Sequence, residues 1–219
     1  MTIAACLLAL AAASIASAAH PAAPDTPRRA PTTGVWAIER EWSPEWEDDY
    51  SAWVEALFAR APADATRGWR PLDQAFRDPS RNLLYGALGL GEDDPKSKIR
   101  VRARADCGDV PYMLRAYFAW KRGLPLRYSR CTRGNGLVGP RCGPAEDNLT
   151  DAFDAIRDPV ARFNAFLGGR LAGAVHSGTL RTLPEDDGSD FYPLPLARRF
   201  IRPGDVFVDH LHVPLVWVP

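Results

Sequence analysis

The chain has 219 residues, enough for one domain with a sizeable buried core. Its 27 lysines and arginines balance 27 aspartates and glutamates, so bulk charge gives no reason to expect nucleic acid or an anionic membrane as partner. Seven tryptophans and twenty prolines suit a loop-rich, globular α+β protein.

Met1 to Leu10 is apolar, and the Ala- and Ser-rich sequence after it ends in Ala16-Ser17-Ala18-Ala19-His20. An apolar stretch before a small-x-small site reads as a secretory signal over residues 1–19, although its first residues carry no Lys or Arg. A buried N-terminal helix is the competing reading. No other stretch approaches the ~20 apolar residues of a membrane span, so the expected mature protein is secreted or periplasmic. Residues 20–33, rich in Pro, Ala and Thr, read as a flexible leader, and 34–219 as a single domain. Loss of the signal removes Cys6 and leaves Cys107, Cys131 and Cys142. Cys131 and Cys142 bound a Gly- and Pro-rich stretch with few core residues, which a disulfide would order. The thiol left over is Cys107, a candidate reactive cysteine.

Ser43-Pro44-Glu45 is an N-cap with Pro at the first helical position, and Trp46, Tyr50, Trp53, Val54, Leu57 and Phe58 then recur at helical spacing. Residues 62–94 read as an irregular surface loop anchored by aromatics. An arginine-rich extended stretch then leads to Asp106-Cys107-Gly108-Asp109-Val110-Pro111. Val110, Leu114, Tyr117, Phe118 and Lys121 share one helical face ahead of a Gly123 stop. The Pro111 ring would clash with the Cys107 carbonyl, so the regular helix is expected to begin at Gly108 or Asp109 with Cys107 at the cap. There the open N–H groups and the positive end of the helix favour the thiolate. The competing reading of Cys107 is a buried apolar cysteine.

Leu124 to Ser129 reads as a short extended segment. Two helices meeting at Pro159 are expected between Asn148 and Leu171, and Asn148-Leu149-Thr150 also matches a glycosylation sequon. Glu185, Asp186, Asp187 and Asp190 form an acidic run that reads as a solvated loop, lacking the ordered pattern of a calcium site. The β-branched C-terminal run reads as two strands, Val206 to Asp209 and His212 to Val218.

A nucleophilic cysteine needs a base, most often histidine. His212, at a strand start, is the first candidate and His176 the alternative; His20 lies in the leader. His210, His212 and Asp209 also invite a metal reading, but four ligands at compact spacing are not there, and no cofactor or metal is expected.

Asp106-Cys107-Gly108-Asp109 with its helix, followed by Gly123-Leu124-Pro125, resembles the core of transglutaminase-like and NlpC-type cysteine enzymes of the papain-like superfamily. Pro203-Gly204-Asp205-Val206-Phe207-Val208 with the later Leu211-His212-Val213 is similar to the Pro-Gly-Asp strand and histidine of NlpC-type cell-wall peptidases. The two stretches cover about a fifth of the chain. Leu211 departs from the small residue those enzymes carry before histidine, and the Asp that transglutaminase-like enzymes place after it is missing. The orienter of the base would then be Asp205, Asp209 or an earlier residue, or be missing. The resemblance implies a papain-like core, N-terminal helices packed on a small antiparallel sheet, with the Cys107 or Gly108 N–H helping to hold the oxyanion. It implies an exported cysteine hydrolase acting on an amide or peptide bond, with peptide or peptidoglycan stem peptide as substrate. A non-catalytic papain-like binding domain and a transglutaminase-like acyl transferase are the alternatives.

Overall fold

The structure is a computed structural model that describes residues 34–59, 71–134, 138–176 and 190–208. The signal and leader assignments, and the strand from His212, lie outside them. The architecture is α+β: helices α1 (Pro44–Phe58), α2 (Leu72–Phe76), α3 (Asp109–Arg122) and α4 (Pro159–Phe166) together with a two-stranded antiparallel sheet of β1 (Arg127–Cys131) and β2 (Cys142–Asp147). None of the described helices is long and apolar enough to cross a membrane.

Helix α1 starts as its cap pattern requires. Ser43 Oγ accepts the Trp46 N–H, Pro44 opens the first turn, and Tyr50, Trp53, Val54 and Leu57 are buried. Helix α3 is the central element, with Tyr112 to Leu114 and Ala116 to Lys121 all buried. It starts at Asp109, as Pro111 dictates, and stops where Gly123 turns left-handed at φ 65°. A Cβ at Gly123 would stand 3.0 Å from Glu39, whose own N–H donates to the Gly123 carbonyl.

Aromatic rings join these elements. Trp53 of α1 stacks on Phe76 of α2 and Tyr117 of α3, and Trp120 of α3 stacks on Phe163 of α4 with centroids 4.1 Å apart. The indoles of Trp36 and Trp42 donate to the carbonyls of Leu124 and Pro125, 2.8 Å each, which fixes the chain before α1 against the exit of α3. Cys131 and Cys142 form the expected disulfide across the end of the β1–β2 ladder, where the register shifts.

Three sequence expectations need correction. The stretch before Asp94 is more than a surface loop: it contains α2, and its Glu92 and Asp93 are buried against Lys121. The Asn148 side chain is buried, accepting from Leu126 N–H and donating to the Trp36 carbonyl, so the sequon offers no amide for a glycan. Two helices were expected between Asn148 and Leu171, but the first is a single 3-10 turn, Asp151–Phe153; α4 follows and continues into a π-helical turn, Leu167–Leu171.

Candidate functional site

The site is built on the turn that feeds α3. Asp106 Oδ1 accepts the N–H groups of Gly108 (2.8 Å) and Asp109 (3.0 Å), while Asp109 Oδ2 accepts the Asp106 N–H (3.1 Å). This is a reciprocal capping box made by two aspartates three residues apart. The side chain that caps this turn is therefore Asp106, not Cys107, and the cysteine sits one position further on, in the turn ahead of α3. Its side chain is exposed and outside the disulfide, which rules out the buried apolar cysteine.

The cap changes the electrostatics expected around the thiol. Gly108 N–H, one of the two groups assigned to an oxyanion, is already committed to Asp106. The second carboxylate of the box is held in an unusual state. Asp109 is only 5% exposed, and its Oδ1 is buried and accepts no hydrogen bond from the described residues. Burial, reinforced by the neighbouring Asp106 charge and opposed by the Asp106 N–H, pushes its carboxyl up from 3.8 to about 6. The Asp-x-x-Asp spacing was visible in the sequence, but only the fold shows that the second carboxylate is interior.

The other candidates are spread over the structure. His176 is half-buried just past Ala174 and Val175, in a segment anchored where the Cys131 N–H meets the Ala174 carbonyl. Asp205 lines a groove of about 760 Å³ beside α1 and the second turn of α3, with Tyr50, Pro111, Tyr112 and Arg115 among its walls. Asp205 accepts the Arg202 N–H at 2.8 Å, and burial raises its carboxyl above the usual value. Gly204 keeps φ 97° there because a Cβ would stand 2.8 Å from the Tyr50 ring. His210, His212 and Asp209 lie outside the described residues.

Sequence reading missed two groups in this region. Asp190, assigned to a solvated acidic loop, accepts Tyr112 Oη (3.0 Å) and the Ser129 N–H (2.8 Å), linking α3 to β1. Its partners are 78 and 61 residues away, and no local pattern announces such a contact. Arg115 forms an ion pair with Glu47 and lies 3.4 Å over the Trp42 ring, bracing α1 against α3 at the groove wall. Among the described residues no three His, Cys, Asp or Glu side chains gather around a common point.

Comparison with known proteins finds no matching family model, no matching curated protein and no matching solved structure.

Proposed function

We propose that the protein is an exported cysteine hydrolase with a papain-like core. Cys107 Sγ attacks an amide carbonyl to form an acyl-enzyme. His212 takes the thiol proton and returns it to the leaving amine, and water then releases the acid. Asp205 or Asp209 orients the imidazole; His176 is the alternative base. By its resemblance to NlpC-type enzymes the substrate is a peptidoglycan stem peptide.

The observation that carries this reading is the exposed thiol of Cys107, held in the turn that feeds α3 while the chain's other described cysteines are tied in a disulfide. Commitment of Gly108 N–H to Asp106 takes that donor out of the oxyanion scheme. Iodoacetamide labelling at neutral pH tests the proposal. Cys107 is expected to react at least about tenfold faster than glutathione, and His212→Ala to lose that advantage; labelling no faster than glutathione contradicts the nucleophile.

The same capping box favours a second reading, a binding domain without chemistry, because it places a carboxylate rather than open N–H groups beside the thiol. Under it, neither the wild type nor Cys107→Ala releases new amino groups from peptidoglycan fragments. Release by the wild type alone selects the hydrolase.

A further inference from the structure

The segment that leads to Cys107 is a pinned rail with cations along one side. Residues 101–104 alternate in burial: Val101 and Ala103 are each 2% exposed, whereas Arg102 and Arg104 are exposed. That period of two is the signature of an extended chain with one face on the core. The backbone is held from both sides. Val101 N–H donates to the Glu92 carbonyl at 2.8 Å, and its own carbonyl accepts Arg77. Asn164 of α4 accepts the Arg102 N–H and donates to the Arg100 carbonyl, 2.8 Å each.

The arginines on this rail are not equivalent. Arg100 turns back to the Ser97 carbonyl at 2.8 Å. Arg102 and Arg104 side chains make no ion pair or hydrogen bond among the described residues, although the chain carries as many acids as bases. Asp106, an exposed acid two residues past Arg104, has its Oδ1 occupied by two N–H groups. Two arginine side chains thus leave a fixed backbone at points about 6.6–6.8 Å apart, the repeat of alternate residues in an extended strand. An extended peptide beside the rail repeats its own side chains at that interval.

We propose that Arg102 and Arg104 form a docking rail for an extended acidic peptide, one with carboxylates at alternate residues, and that this peptide runs toward Cys107. The orientation deepens the hydrolase reading and rests on it: acidic side chains would flank the bond presented to the thiol. The binding itself is independent of that chemistry. It is electrostatic and exposed, so it weakens with salt.

Binding is measured by fluorescence anisotropy at low salt, using full-length Cys107→Ser protein so that no reaction intervenes. The probe is a short labelled peptide of alternating aspartate and glycine. The expected result is that Arg102→Ser with Arg104→Ser binds about fivefold more weakly or worse, as two exposed charge contacts imply. Arg102→Lys with Arg104→Lys keeps the binding, and so does a charge-matched control, Arg157→Ser with Arg199→Ser. Equal binding by the rail variant and wild type overturns the proposal, as does an equal loss in the control. Equal binding of an asparagine–glycine peptide, or binding of inorganic polyphosphate in place of the acidic peptide, overturns it too. Loss of Cys107 reactivity would appear in alkylation and leaves these outcomes unchanged.

Discussion

The two ends of α3 both bury charge, three groups at the C-terminal end and one at the N-terminal end, and handle it in opposite ways. At its C-terminal end Lys121 is fully buried, and every charge around it is answered. Its ammonium pairs with Glu92 and with Asp93, the latter at 2.5 Å. Glu92 also accepts the N–H groups of Leu88 and Leu90, and Asp93 accepts Gly86 N–H and Tyr117 Oη. Burial alone would raise the Glu92 carboxyl, but Lys121 and the Leu88 N–H outweigh it and hold Glu92 below its usual value. Asn82 completes the network, bonded to Trp53, Tyr117, Leu84 N–H and the Phe76 carbonyl. At the N-terminal end Asp109 has one buried oxygen without a donor among the described residues, beside an exposed thiol. A saturated network holds a fold in one arrangement; an unsaturated one is where a native protein keeps chemistry or strain.

The contrast breaks most visibly at Lys121. Lys121→Met leaves two buried carboxylates without their cation and is expected to cost about 3–5 kcal/mol in urea unfolding. A loss under about 1 kcal/mol would mean that the cluster is solvated. Next in size is Asn82→Ala, which orphans Trp53 Nε1 and neighbouring backbone groups, at about 2–3 kcal/mol by the same measurement.

Removing the cap at the other end should have a smaller effect on stability and an opposite one on reactivity. Asp106→Ala is expected to cost about 1 kcal/mol. It also releases two N–H groups and removes a negative charge next to Cys107, so iodoacetamide labelling should become faster. Slower labelling would show that Asp106 supports the thiol instead of competing with it.

The pH dependence of stability is the most diagnostic of the unsatisfied oxygen. Asp109 binds its proton more tightly in the folded state, about 6 against an ordinary 3.8. Protonation therefore stabilises the fold as pH falls through 6, and this contribution is lost as pH rises from about 4 to above 6. Unfolding free energy of the wild type relative to Asp109→Asn should decline across that window, by at most about 3 kcal/mol. A flat difference would place the carboxylate in water.

What could be read from the sequence was local. Ser43-Pro44 announced α1, Pro111 and Gly123 bracketed α3, and the cysteine count together with the Gly- and Pro-rich spacing anticipated the Cys131–Cys142 bridge. Glu92 and Asp93 fell within a stretch read as surface loop because the cation that balances them, Lys121, is 29 and 28 residues further on. Asp190 was misread for the same reason. The error at Cys107 was different in kind: the capping side chain lies one residue earlier, and a carboxylate takes backbone N–H groups ahead of a thiol.

The most direct measurement of the central claim is the rate of iodoacetamide labelling of Cys107 in the native, disulfide-intact protein at neutral pH. The account predicts modification at Cys107 alone, at least about tenfold faster than glutathione. Labelling at the glutathione rate or slower would contradict it, leaving Cys107 as an ordinary surface thiol.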